Sequence, residues 1–266
     1  MTPAITAVSL SLIDLALAAA LLLINAGLSV WFRLGLEQRL GVAALRMVVQ
    51  LGAVGFILKF VFEQSSPPLT LLIGCLMVAV AGLELIGRDT SGATKGLTFG
   101  IGTATLFCAG FIGTLYALAL VVQPDPWHAP RYALPILGMV LGNALTGVSL
   151  VLETMTAMAR REGRVIEARL ALGATRFEAL QAVRTQALTS GLIPILNAMS
   201  VAGVVSLPGM MTGQILAGAD PVEAAKYQIM IMFIIAGSTG LAVLAAAYGA
   251  TYLLTDARHR LLVHGR

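Results

Sequence analysis

Apolar residues run along this chain in blocks of twenty or more, separated by short polar or proline-containing turns. A hydrocarbon core of about 30 Å needs about 20 mostly apolar residues per helical crossing, so the blocks predict membrane-spanning helices. The first crossing runs near Val8 to Phe32, the second near Gly41 to Phe62 and the third from Leu69 to about Ile86. The fourth occupies Leu97 to Val122 and ends in Gln123-Pro124-Asp125-Pro126-Trp127-His128-Ala129-Pro130, whose prolines stop a helix and whose Trp suits an interface. The fifth runs from about Ala133 to Met155. After a charged stretch, Arg160 to Arg184, comes an uncharged run from Thr185 to Ala219 that is too long for one helix, and Pro208-Gly209 divides it. The pattern therefore places a sixth crossing near Ala187 to Leu207, an irregular segment from Pro208 to Pro221, and a seventh crossing from about Ala225 to Leu254. The fold class expected is an all-α membrane protein of about seven transmembrane helices, forming a single transmembrane domain over residues 1–266.

Composition agrees with that reading. Of 266 residues, 58% are apolar and only 11% charged, against roughly a quarter charged in a soluble domain. A net charge of +4 is compatible with a nucleic-acid partner, but in a membrane protein basic residues more often mark cytoplasmic loops, and their distribution decides. With the N-terminus outside, Arg33, Arg39, Arg46, Arg88, Lys95, Arg160, Arg161, Arg164, Arg169, Arg176, Arg184, Arg258, Arg260 and Arg266 fall inside: fourteen of the 17 Lys and Arg residues. Lys59, Arg131 and Lys226 fall outside, one per external loop, and an even number of crossings would destroy the sorting. The C-terminus is then cytoplasmic. The first Lys or Arg, Arg33, follows the first apolar block and Asp14 lies within it, so that block is expected to be a retained helix rather than a cleaved signal. Cys75 and Cys108 lie in apolar stretches with no disulfide framework and are read as packing residues.

The cytoplasmic loop between the fifth and sixth crossings, residues 160–184, has helical grammar. Ile166 and Leu170 sit at i, i+4 with Val165 and Leu172 flanking, while Arg164, Glu167 and Arg169 supply polar positions. Gly173 is placed to stop this helix in left-handed geometry. Thr175 with Glu178 three residues on is a capping-box pattern that starts a second helix leading into the sixth crossing. The competing reading is a surface helix that lies among lipid headgroups through its arginines.

Resemblance favours the first. Glu167-Ala168-Arg169-Leu170-Ala171-Leu172-Gly173, followed by Ala174, looks like the Glu-Ala-Ala-x-x-x-Gly loop of ABC transporter permeases, with Arg169 at the second Ala. That loop is the coupling helix, which docks on a cytoplasmic ATPase subunit. Ser206-Leu207-Pro208-Gly209-Met210-Met211-Thr212-Gly213-Gln214, continuing to Asp220-Pro221 and Lys226-Tyr227-Gln228, together with Gly142-Asn143-Ala144, resembles the FetB family of permeases, linked to iron export, with plant relatives linked to aluminium tolerance. The resemblance covers nearly the whole chain and is densest from Pro135 to Tyr252. It implies a multi-pass permease of a bacterial-type plasma (inner) membrane that works as a homodimer among membrane lipid. ATP and Mg would be carried by a separate ATPase partner, with no cofactor bound by this chain and no catalysis in it. No Gly-x-x-x-x-Gly-Lys-Ser/Thr phosphate loop occurs in the sequence.

Substrate-path candidates come from polar groups at membrane depth, which need partners or a role. Pro208 to Gly218 offers loosened carbonyls with Gln214, and Met210 and Met211 offer thioethers that also read as adaptable packing. Ser206, Pro208, Gly209, Gln214 and Asn143 are candidates for the path or a dimer interface. Glu84 has Arg88 at i+4, and Arg46, one turn before Gln50, can snorkel to the inner surface. Asp14 and Glu153 have no local basic partner, which makes them candidates for charge pairing across helices or for cation passage. Gly138-x-x-x-Gly142 and Asn143-x-x-x-Gly147 allow close helix approach, within the chain or between copies.

Three other classes compete. An ion-gradient-driven secondary carrier would use Asp14 or Glu153 as a relay. A retinal-type receptor would need a lysine within the last crossing, where only Lys226 stands, at the outer end. A membrane enzyme lacks support from His-Glu-x-x-His or Gly-x-Ser-x-Gly, and His128, His259 and His264 all lie outside the crossings.

Overall fold

The computed structural model describes residues 11–64, 66–88, 95–256 and 260–262. Ten α-helices occupy them: α1 (Leu12–Trp31), α2 (Glu37–Gln64), α3 (Pro67–Arg88), α4 (Lys95–Tyr116, continued by a π-helical turn Ala117–Val122), α5 (Pro130–Arg161), α6 (Gly163–Ala171), α7 (Arg176–Ala179), α8 (Gln181–Val201), α9 (Gly209–Leu216) and α10 (Pro221–Leu253). Helix starts follow local chemistry. Pro130 and Pro221 stand at first helical positions, where a missing N–H costs nothing, and the Asp220 carboxylate accepts from the Val222 and Glu223 N–H groups.

Side-chain contacts fix the threading. Val183 and Ala187 of α8 share one buried cluster with Met155, Ala159, Ala250 and Leu254, whereas Ile195 shares another with Ile136, Ile231 and Ile235. Between these, Gly147, Gly191 and Val243 meet at mid-length. Helices α5 and α10 therefore run parallel, and α8 runs antiparallel to both from one end of the bundle to the other. Ile101 of α4 meets Gly249, and Ser238 meets Gly113, so α4 is antiparallel to α10; Leu85 meets Gly102, which reverses α3 again.

Six helices, α1 to α5 and α10, are long and apolar enough to cross a membrane. Helix α8 is more polar, yet its 21 residues span about 31 Å at 1.5 Å per residue and it traverses the full bundle, which makes seven crossings. Arg33, Arg39, Arg160, Arg161, Arg164, Arg169, Arg176, Arg184 and Arg260 gather at one end, called here the basic end; Lys59, Arg131 and Lys226 lie at or toward the other. Arg258, His259, His264 and Arg266, and the side chains of Arg88 and Lys95, lie outside the described residues.

Two expected boundaries move. The sixth crossing begins at Gln181 rather than near Ala187, because α8 follows α7 with only Leu180 between them and tolerates Arg184 in its first turns. The segment after Pro208 is not irregular. It forms α9, with the Thr212 hydroxyl donating to the Pro208 carbonyl at 2.8 Å, so its backbone groups are engaged within a helix. The irregular stretch lies at residues 202–208 instead, where Gly203 takes φ +82° and donates to the Ser206 carbonyl at 2.8 Å.

Candidate functional site

Two features of the bundle are out of keeping with a lipid-facing surface. The first is the elbow at the basic end. Helix α6 is anchored by Ile166, 2% exposed, and turns Arg164, Val165, Glu167, Ala168 and Arg169 outward. Its last turn closes through Leu172, Gly173 and Ala174 N–H groups donating to the Ala168, Leu170 and Arg169 carbonyls, and Gly173 takes φ +93°. Leu172 is left at the tip, 89% exposed. The capping box forms as its spacing predicts: the Glu178 N–H donates to the Thr175 hydroxyl, while the Thr175 N–H and hydroxyl both donate to the Glu178 carboxylate at 2.8 Å. Those two bonds hold the Glu178 carboxyl below its ordinary range.

The second feature is a polar face on α5 and α8. Asn143, Thr146, Ser149 and Glu153 lie on the side of α5 turned away from its core stripe, and Gln181, Thr185, Gln186, Thr189, Asn197 and Ser200 are exposed on α8. Four hydroxyls and one amide N–H along this face are engaged with their own helices. Thr146 donates to the Gly142 carbonyl at 3.1 Å, Ser149 to Leu145 at 2.7 Å, Thr189 to Thr185 at 3.0 Å and Ser200 to Leu196 at 2.8 Å. The Asn143 amide nitrogen donates to Met139 at 2.9 Å. What points outward is a mixed polar surface of hydroxyl and amide oxygens and the amide N–H groups of Gln181, Gln186 and Asn197, with the Glu153 carboxylate, which has no hydrogen-bond or ion-pair partner among the described residues, toward the basic end.

Comparison with known proteins places this architecture. The pattern of the uncharacterised protein family UPF0014 matches residues 12–254. The chain belongs to the UPF0014 family. It is 38% identical to a UPF0014 membrane protein of Synechocystis over 81% of this chain and 82% of that one. Against the probable iron export permease protein FetB of Escherichia coli it is 32% identical over 94% of both chains. With the protein ALUMINUM SENSITIVE 3 of Arabidopsis thaliana it shares 35% identity over 81% of this chain and 77% of the relative. No solved structure matches. The resemblance to the FetB family and the multi-pass membrane character expected from the apolar blocks are thus both shown.

Within this UPF0014 fold the sequence-derived candidates separate. Asp14 lies not within the crossing but in its first turn: α1 starts at Leu12, and the Ser11 N–H and hydroxyl each donate to the Asp14 carboxylate at 2.8 Å, giving it a capping role. It lies at the end of the bundle opposite the elbow, whereas Glu153 sits toward the basic end, so the fold does not bring them together. Met210 packs half-buried against the core around Ile231, and Met211 is half-buried beside it. Gln214 is half-buried and Ser206 exposed, on and before α9, and Pro208 and Gly209 start that helix. No group of three or more His, Cys, Asp or Glu that could hold a metal occurs among the described residues. Gly147 packs inside the chain while Gly142 faces open space, which divides the small-residue pattern of α5 between internal and outer roles.

Sequence reasoning missed three things. Glu84 takes Arg46 across helices at 2.6 Å, beside a cavity of about 450 Å³ that Gln50 also lines. Val165 and Leu172 are the exposed apolar positions of the elbow, signalled only by their placement off the Ile166–Leu170 stripe. The polar face of α8 was legible in Thr185, Gln186, Thr189, Asn197 and Ser200, at spacings that a helix gathers on one side.

Proposed function

We propose that this chain is the membrane-spanning permease subunit of an ABC transporter, that it exports iron or another metal ion, and that a separate cytoplasmic ATPase energises it. The observation that carries the reading is the polar face of α5 and α8 with the Glu153 carboxylate on it. Hydrocarbon cannot solvate such a surface, so it must line a water-filled path or meet another protein surface. Two copies facing each other across it satisfy both conditions. A polar surface whose one charged group is the Glu153 carboxylate suits a hydrated cation rather than an anion, in keeping with the relative named for iron export.

The positive-inside rule puts the basic end, and with it the elbow, in the cytoplasm. There Leu172 and Val165 form an apolar knob rimmed by Arg164, Arg169 and Glu167, which suits insertion into a groove of a cassette ATPase. Nucleotide closure would draw the two elbows together and shift the bundle between inward- and outward-facing states, as a shift between two populations.

Co-purification with a cassette ATPase, scored beside ATP-driven iron transport in vesicles, tests this. Leu172→Asp, which buries a charge in the docking groove, should reduce both at least tenfold. Intact assembly and transport in that variant and in Gly173→Val would sink the docking assignment. The second reading is a gradient-driven carrier with Glu153, the only carboxylate on α5 or α8, as its relay. Iron transport that persists without any ATPase would select it.

A further inference from the structure

The elbow meets the bundle through a break in the helix. Between α7 and α8, Leu180 takes φ −94° and ψ 7°, so the single turn of α7 does not run continuously into the crossing. Left alone, a four-residue helix on such a junction is a hinge. Leu180 and Ala179, 0% and 2% exposed, fix the pivot in the core, and Ile166 seats α6 against the same apolar cluster, but none of these contacts is directional.

An aromatic and cationic stack spans the break. The Arg184 guanidinium, one turn into α8, donates back to the Phe177 carbonyl at 3.1 Å. The same guanidinium lies over two rings, 5.6 Å from the centroid of Phe177 on α7 and 5.0 Å from that of Tyr248 on α10. Phe177 in turn meets Tyr252 edge to face at 5.4 Å and Tyr248 at 6.0 Å, and Arg176 sits 5.1 Å over the Tyr252 ring. One cation thus touches α7, α8 and α10 together. Both arginines lie at the basic end, where guanidinium groups fit the membrane interface and where a planar cation between aromatic faces is held more firmly than in water.

We infer that Arg184, clamped between Phe177 and Tyr248, is a positioning residue that stiffens the hinge at Leu180 and transmits displacement of the elbow to α8 and α10. The inference rests on the reading that the elbow receives an ATPase. Helix α8 carries half of the polar face, so the residue that locks the elbow angle also governs whether a push at Leu172 reaches the path. Without the clamp only the apolar seating of Ile166, Ala179 and Leu180 would join the elbow to the bundle, and a push at Leu172 would be taken up at Leu180 while the crossing stayed in place.

The test uses the assembled permease–ATPase complex in proteoliposomes, with ferrous iron as the transported probe. Arg184→Gln keeps a donor for the Phe177 carbonyl and removes the cation; Phe177→Leu keeps apolar volume and removes the ring. Each is expected to leave assembly and ATP hydrolysis within about twofold of the parent and to lower iron moved per ATP at least tenfold. Arg184→Lys, which retains charge without the planar stack, should fall between. Unchanged iron per ATP in Arg184→Gln overturns the inference, and so does loss of assembly in that variant, because the residue would then shape the docking surface rather than transmit its motion. Should Phe177→Leu fail to fold, Arg184→Gln, which empties no apolar space, decides alone. Failure of the unsubstituted chain to bind any ATPase would instead remove the docking reading on which the inference stands.

Discussion

The α1–α2 hairpin and the five-helix body of α3, α4, α5, α8 and α10 are built from similar apolar residues but held by different forces. In the body, α5 and α8 touch backbone to backbone: a Cβ at Gly191 would lie 2.9 Å from the Gly147 carbonyl oxygen and 2.6 Å from a Val151 methyl. In the hairpin, a Cβ at Gly27, Gly41, Gly52 or Gly55 would meet nothing within 4 Å. Helix α2 joins the body through the Arg46–Glu84 pair toward the basic end and through Arg131 lying 6.0 Å over the Phe62 ring at the other. Between those points its large apolar side chains, such as Leu51, Val54 and Phe56, are exposed. The difference shows what apolarity does in a membrane. Lipid tails are as apolar as leucine, so hydrophobicity inserts a helix without attaching it to its neighbours; attachment comes from small residues that admit close backbones, or from polar pairs.

The largest expected effect breaks the body. Gly191→Val forces methyls into the Gly147 carbonyl and Val243, with no flexible side chain to yield on the carbonyl side. Overpacking of this kind costs about 3 kcal/mol. Thermal denaturation in detergent should show a strong loss of folded protein for Gly191→Val, while Gly52→Val on the hairpin stays within about 0.5 kcal/mol of the parent. Equal sensitivity at the two sites would mean that the hairpin is packed as the body is.

The same contrast explains what could be read from sequence. Apolar blocks give crossings because the bilayer imposes length and apolarity on each of them separately, and the capping grammar of Thr175 and Glu178 is local, so both were legible. The Arg46–Glu84 pair was not, since Arg88 at i+4 offers Glu84 an equally good partner within one helix and only tertiary placement brings α2 beside α3. Asp14 was misplaced because hydropathy extends smoothly back to Val8 and hides the Ser11 cap. At Pro208–Gly209 the break in the crossing was readable, yet the glycines after it suggested loose backbone where Thr212 and the helical bonds of α9 leave little free. Leu172 needed the turn at Gly173 in three dimensions before its exposure had meaning.

A smaller effect should fall on the hairpin alone. The Arg46 and Glu84 side chains are 49% and 30% exposed, and partly solvated pairs contribute at most about 1 kcal/mol. A double-mutant cycle with Arg46→Gln and Glu84→Gln should return a coupling of about that size. Hydrogen exchange should rise through α2 in either single variant while α5, α8 and α10 keep their protection. Deprotection that spreads into α10 would show the hairpin to be part of the body's cooperative unit.

The smallest effect tests the body's own margin at the elbow. Glu178 has its pKa lowered from the ordinary 4.5 by the two Thr175 hydrogen bonds, so folding favours the ionised form. With the folded pKa below the unfolded one, the capping contribution is fully present above the unfolded value and is lost as pH falls through the folded value. Glu178→Gln, which does not titrate, should therefore melt slightly below the parent near pH 7, and the gap should close in acid. Hydrogen exchange at the α7 amides should locate the difference in that turn, leaving the hairpin amides unchanged. A gap that persists undiminished below the folded pKa would mean that the side chain caps by shape rather than by charge, and would leave the elbow's stability independent of pH.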